Sequence, residues 1–217
     1  MPRRIVLTKA GGPNTLAVIP MGMPEPKAGE IRIEVAYAGI NFADLLMRLG
    51  LYQPRPKYPF TPGYEMSGTV DAVGDGVTEF TVGQRVVAGL PNGGQASHVV
   101  VNSERALALP DDVGLDVAAA IPVTYLTAHH MLHHLGHMKE DDSVLIHGGA
   151  GGVGTAALQI CQWAGVSKVW ATASGHKSST IEAYGGVAID RHNEDFVEVI
   201  KKATNNQGVA HILDPIG

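Results

Sequence analysis

The hydrophobic pattern changes period part-way along the chain. In the first half, Ile31-Arg32-Ile33-Glu34-Val35 alternates apolar with polar positions, the two-residue repeat of a half-buried strand. Gly68-Thr69-Val70 with Val73, Gln84-Arg85-Val86-Val87 and Ser97-His98-Val99-Val100-Val101 predict further short strands, and Asp75-Gly76 predicts a turn. One helix is expected over 43–49. Prolines at 54, 56, 59 and 62 mark an irregular loop after it. Short strands between turns predict a small barrel or sandwich. The second half has helical spacing over 117–121 and 125–135. Strands then alternate with helices: strand 143–146, helix 152–164, strand 168–173, helix 178–184, strand 187–189, helix 196–203 and strand 210–213. That alternation predicts a parallel, doubly wound sheet. The chain therefore reads as an α/β protein, with a β-rich domain over 1–122, a doubly wound domain over 123–217 and no flexible linker between them.

Composition narrows the function classes. In 217 residues, 45% hydrophobic against 17% charged leaves enough apolar surface for sizeable cores and excludes a disordered chain. The net charge is −5, and Arg3-Arg4 and Lys201-Lys202 are the only adjacent basic pairs, which argues against nucleic acid as a partner. The single cysteine, Cys161, excludes a disulfide framework and a cysteine-rich zinc site. No apolar run is long enough to span a bilayer, and 1–5 lacks the apolar stretch of a signal peptide. A soluble, cytoplasmic protein is expected.

The clearest chemistry lies in Gly149-Ala150-Gly151-Gly152-Val153-Gly154, a complete G-x-G-x-x-G. An apolar strand precedes it, an apolar helix follows, and a second strand comes at βαβ distance, the context of a dinucleotide-binding turn. In that turn Gly149 is expected to permit the tight bend. Gly151 lets backbone approach a pyrophosphate, and Gly154 lets the helix pack against the sheet. The helix start offers free N–H groups to the anion. An NAD site usually ends its second strand with an acidic residue for the ribose 2′-hydroxyl. Here Ala173-Ser174-Gly175-His176-Lys177 stands there, and Arg191 follows the third strand. Ser174, Lys177 and Arg191 suit a 2′-phosphate, so NADPH is the expected cofactor. The competing reading leaves Lys177 and Arg191 merely solvated.

Several segments carry a family resemblance: Ala38-Gly39-Ile40-Asn41-Phe42-Ala43-Asp44, Gly50-Leu51-Tyr52, Pro62-Gly63-Tyr64-Glu65, Ala118-Ala119-Ala120-Ile121-Pro122, Leu126-Thr127-Ala128, His147 to Gly154, and Asp214-Pro215-Ile216-Gly217. In that order they resemble the medium-chain dehydrogenases/reductases, in the zinc-free quinone oxidoreductase (zeta-crystallin-like) branch. The resemblance implies a GroES-like catalytic domain, a Rossmann domain and an active site in the cleft between the two. Zinc members of the superfamily use a Cys where Asn41 stands and a His where Tyr64 stands, so no metal is expected here. His129, His133 and His137 fall at i, i+4, i+8, a spacing that can hold a transition metal, but no carboxylate or cysteine completes a motif. An adventitious site is the expectation there.

The resemblance also implies roles. Asn41 and Tyr52 would flank the nicotinamide. The Asn41 amide would bond cofactor or substrate, and the Tyr52 hydroxyl would polarise a substrate oxygen or deliver a proton to it. The competing readings are a turn asparagine and a core tyrosine. Thr127 would lie beside the nicotinamide, and Tyr64 would line the pocket. The implied activity is NADPH-dependent reduction of a quinone. Reduction of the C=C bond of an enone or enoyl thioester, and non-catalytic NADPH binding, stay open as alternatives. Full-length members are homo-oligomers, usually dimers, and continue past the fourth Rossmann strand. A fragment with weak or no activity, and with a raw edge on that strand, is therefore expected.

Overall fold

The computed structural model describes residues 1–53 and 56–216. Pro54 of the proline loop and Gly217 of the last resembling segment lie outside them. Two compact units divide the chain, Met1–Val123 and Thr124–Gly217.

In the first unit, β1 (Arg3–Leu7) and β2 (Leu16–Pro20) form an antiparallel ribbon. Next come β3 (Glu30–Ala38), α1 (Phe42–Leu49), β4 (Glu65–Val73), β5 (Arg85–Gly89), β6 (His98–Asn102) and β7 (Ala106–Ala108). The five strands after the ribbon make one antiparallel sheet in the order β6-β3-β4-β5-β7. The alternation in β3 has the expected consequence: Ile31 and Ile33 are wholly buried, while Arg32 and Glu34 face the other way. Their core partners include Met66, Val70, Val86 and Val101. The short helix α1 starts at Asn41 and stops at Gly50, whose φ of 78° is the left-handed cap that glycine supplies. It buries Asp44 and Met47, and Met47 packs with Leu7 and Phe60 in a satellite core edged by Tyr52, Tyr58 and Tyr64. The turn α2 (Leu115–Ala118) follows, and α3 (Pro122–His129) begins at the proline that the N1 position tolerates.

The second unit holds β8 (Ser143–Ile146), α4 (Gly152–Trp163), β9 (Lys168–Ala173), α5 (Ser178–Glu182), β10 (Val187–Asp190), α6 (Phe196–Ala203) and β11 (His211–Leu213). All pairings are parallel, in the order β10-β9-β8-β11. That is the 3-2-1-4 arrangement of a doubly wound sheet. Cores lie on both faces. Ala156, Ala157, Ile160 and Cys161 of α4 pack with Val144 and Ile146, whereas Leu145, Ile189 and Ile200 form the opposite cluster.

The expected helix over 125–135 is not uniform. The α-helical hydrogen bonding ends at His129, and His130–Leu135 is a π-helical turn whose closing bonds run from Gly136 N–H to the Met131 carbonyl and from Met138 N–H to the Leu132 carbonyl. His137 then takes a φ of 52°, outside the helix. The i, i+4, i+8 histidine face therefore stops at His133.

Candidate functional site

Within the first unit, a chain of buried polar contacts starts at Asn41. Its backbone N–H donates to Asp44 Oδ2 at 2.9 Å, closing the start of α1. The Asn41 Nδ2 donates to Glu65 Oε1 at 2.7 Å, and the other oxygen of Glu65 accepts from Val123 N–H at 2.8 Å. Glu65 is 2% exposed, so both its oxygens are held by donors that replace water. Gly39 makes room for it: a Cβ there would stand 2.2 Å from Glu65 Oε1. Asp44 Oδ1 accepts from Gly63 N–H at 3.1 Å. Burial raises the Asp44 carboxyl above its ordinary value, and those two backbone donors oppose the rise.

Tyr52 and Tyr64 lie edge to face, with ring centroids 6.4 Å apart. The Tyr64 hydroxyl also lies 3.8 Å from Met47 Sδ. Burial pushes the Tyr64 phenol up to about 12, helped by Tyr52 and by the neighbouring Asp44 carboxylate. Asn41 and Tyr52 are thus joined through α1, Asp44 and Tyr64 rather than by direct contact. Glu65 is the residue that sequence reasoning treated only as part of a motif. A lone carboxylate in an apolar strand start is the signal that marks it.

In the second unit the glycine turn joins β8 to α4. The left-handed residue is Gly148, at φ 64°, so the tight bend assigned to Gly149 falls one position earlier. Gly149 is needed for a different reason: a Cβ there would meet the Ala171 Cβ of β9 at 2.5 Å. Gly154 packs on the turn itself, with the Gly148 oxygen 2.3 Å from where its Cβ would be. Gly151 has only that oxygen near, at 3.2 Å, and Gly152 meets the Thr124 methyl at 3.0 Å. Gly151 and Gly152 are exposed, Ala150 and Val153 half-buried. Thr172 Oγ1 holds the turn from below, accepting from Gly148 N–H at 3.2 Å, while Thr172 O accepts from Gly149 N–H at 2.9 Å. The turn is rich in glycine, and the first N–H groups of α4 have no partner within the helix, as at any helix start.

At the ends of β9 and β10, Ser174 and Arg191 come together on His192. Ser174 Oγ is 3.4 Å from His192 Nε2, and Arg191 Nε donates to the same nitrogen at 3.3 Å. The Arg191 N–H donates to the Ala173 carbonyl at 2.9 Å, which pins it beside Ser174. Lys177 is exposed, its N–H bonded to the Ser174 carbonyl at 2.8 Å. Asp190 ends β10 and is the acidic residue nearest this cluster in the chain. Its oxygens accept from His192 N–H at 3.1 Å and Asn193 Nδ2 at 2.7 Å, and those bonds hold its pKa low. Thr127 lies exposed on α3, one turn beyond the Thr124 that touches Gly152. Among the described residues no group of three or more His, Cys, Asp or Glu is arranged to hold a metal ion.

These features meet a known lineage. Residues 27–111 match the alcohol dehydrogenase GroES-like domain. The human synaptic vesicle membrane protein VAT-1 homolog-like structure superposes with a TM-score of 0.92 at 37% identity, covering 100% of this chain and 71% of that one. The chain belongs to the quinone oxidoreductase group of the medium-chain dehydrogenases/reductases. Other solved structures are similar in the same way. The CurK enoyl reductase matches with a TM-score of 0.91 at 35% identity over 97% of this chain and 66% of that one. The Escherichia coli quinone oxidoreductase, solved in complex with NADPH, matches with a TM-score of 0.86 at 32% identity over 95% and 64%. The zebrafish (Danio rerio) synaptic vesicle membrane protein VAT-1 homolog is 41% identical over 99% of this chain. The chain spans 45% of that relative's length, about half of the curated relatives it matches. No helix among the described residues is long and apolar enough to cross a membrane.

Proposed function

We propose that this chain carries the catalytic and NADPH-binding parts of a zinc-independent reductase that passes hydride to a quinone. The observation that carries the reading is the polar cluster at the β9 and β10 ends, Ser174, Arg191 and His192 with Lys177 exposed nearby, on the same strand-end side as the glycine-rich turn. The turn and the N–H groups of Gly152, Val153 and Gly154 fit a pyrophosphate, and Ser174, Lys177 and Arg191 fit a 2′-phosphate. Asp190, at the same strand end, accepts from His192 N–H and Asn193 Nδ2. NADPH, when bound, supplies the hydride. The chain's own residues position and polarise. Asn41, with one amide hydrogen committed to Glu65, keeps a second for cofactor or substrate. The Tyr52 hydroxyl, beside Tyr64, polarises or protonates the acceptor oxygen. Asn41 and Tyr64 replace the Cys and His of a zinc site, so activity survives exhaustive chelation.

The likeness to an enoyl reductase supports a second reading, reduction of a C=C bond conjugated to a carbonyl, and the same residues serve either acceptor. Non-catalytic NADPH binding is the third. We also propose that the protein acts in the cytoplasm as a homo-oligomer on a small molecule. The test is NADPH oxidation with an ortho-quinone, a para-quinone and an enone, each with and without EDTA. Quinone turnover that resists EDTA is expected. Turnover of the enone alone favours the second reading. NADPH binding by calorimetry with no turnover of any acceptor favours the third.

A further inference from the structure

Glu65 is a buried carboxylate to which the reductase reading gives no role. It opens β4 and is 2% exposed. Three contacts fix it. Its carbonyl accepts from Gly39 N–H at 3.2 Å, where β3 and β4 meet. Its Oε2 accepts from Val123 N–H at 2.8 Å. Pro122, the first residue of α3, has no N–H, so Val123 carries the first free donor of that helix and the carboxylate caps it. Oε1 is left for the Asn41 amide, at 2.7 Å. An ionised carboxylate only accepts, whereas an amide presents a donor on one side and an acceptor on the other. Asn41 must therefore turn its nitrogen, not its oxygen, toward Glu65. Asn41 itself is half-buried, and its neighbours Ile40 and Phe42 are each 73% exposed, so the corner that carries the amide is open.

We propose that Glu65 is a positioning residue. By holding the Asn41 nitrogen inward, it fixes where the amide's oxygen and its second N–H stand for cofactor or acceptor. A half-turn of the amide about its Cβ–Cγ bond would exchange the two, and it would set the Asn41 oxygen against a carboxylate oxygen. The cap on α3 keeps Glu65 from following such a turn, because its other oxygen is committed to a backbone donor. What the amide meets rests on the reductase reading; its locked sense does not.

The test is Glu65→Gln in the 217-residue chain. The new carboxamide has a single oxygen, and the Val123 N–H, fixed by its helix, takes it. Its NH2 then faces Asn41, whose amide turns over to offer oxygen. The hydrogen bonds are conserved in number, so a purely structural role predicts unchanged melting and unchanged turnover. The positioning role predicts a melting temperature near the parent's, with kcat/KM for quinone reduction down by roughly tenfold or more, toward the hundredfold that a misplacement of about 1 Å can cost. In NMR of the nitrogen-labelled parent, the Asn41 Nδ2 pair, identified by its loss in Asn41→Asp, should show one hydrogen shifted downfield by the carboxylate. That shift should be absent in Glu65→Gln. Should Glu65→Gln disturb folding, Asn41→Asp/Glu65→Gln again sets one acceptor against one donor. It must recover the melting temperature while turnover stays low, because its carboxylate has no hydrogen to offer. Parent-level turnover in either variant, or no downfield Asn41 hydrogen in the parent, overturns the assignment. A parent that binds NADPH and turns over no acceptor would sink the reductase reading instead, and the Asn41 resonance would still decide the lock.

Discussion

Tyr64 illustrates how much one side chain's chemistry depends on neighbours that the sequence does not place. Its phenol is pushed up to about 12, chiefly by burial. A raised folded-state value means the unfolded chain releases its proton first as pH rises. The contribution is therefore intact below about pH 10, the free phenol's value, and is lost between there and about pH 12. Guanidinium denaturation across that window should show stability falling, and Tyr64→Phe should flatten the fall. Tyr52 carries the opposite kind of prediction. Tyr52→Phe removes only a hydroxyl, so it should lower kcat for quinone reduction and leave NADPH affinity near the parent value. An unchanged kcat would return Tyr52 to packing in the Leu7–Met47–Phe60 cluster.

At the scale of elements, the turn between β8 and α4 separates two jobs that one motif combines. Gly154→Ala drives a methyl onto the Gly148 carbonyl, 2.3 Å away, and should cost roughly 1–3 kcal/mol in chemical denaturation, as overpacking does. Gly151→Ala meets that oxygen only at 3.2 Å. It should leave stability nearly unchanged while weakening NADPH binding, because the methyl stands where the pyrophosphate is proposed to bind. Equal destabilisation by the two changes would remove the distinction. The first and fourth strands of the sheet are tied by a second device. His211 Nε2 and Asp142 Oδ2 are 2.8 Å apart, and the same oxygen accepts from Lys139 N–H. These bonds hold the Asp142 carboxyl below its ordinary value. The stabilisation is present above the unfolded carboxyl's pKa and is lost as pH falls through the lowered folded value. Asp142→Asn should therefore destabilise the protein at neutral pH and reduce the drop on acidification, measured as Tm against pH.

Over the whole molecule the charge is −5, yet Lys177 and Arg191 stand exposed together at one sheet end. Attraction of a 2′-phosphate to exposed cations is screened by salt. NADPH affinity should fall between about 0.05 and 0.5 M salt, while NADH, lacking that phosphate, should change little. Lys177→Ala should weaken NADPH by roughly 1–3 kcal/mol and remove part of the salt dependence, with NADH nearly unaffected. Equal parent affinity for the two cofactors by titration calorimetry would exclude the 2′-phosphate site.

Local physics made much of this protein readable in advance. The period-two alternation at Ile31–Val35 and the strand–helix alternation after Ser143 depend on neighbours in sequence, and both appear as β3 and as the parallel sheet. The ribbon strands Arg3–Leu7 and Leu16–Pro20 escaped that reading, because their apolar runs do not alternate and they are fixed by pairing with each other. The histidine face was misread for a related reason. A switch from α to π hydrogen bonding at His130 changes residues per turn without any mark in residue type. The site shows the same division. The glycine turn and the polar strand end were legible because a turn and a strand end are local, while the cofactor role given to them is a proposal. That Gly149 packs rather than bends was settled by Ala171 from the next strand. Glu65 bridging Asn41 to Val123, and His192 drawing Ser174 to Arg191, exist only after strands far apart in sequence have paired, and only burial and distance in the folded chain could show them.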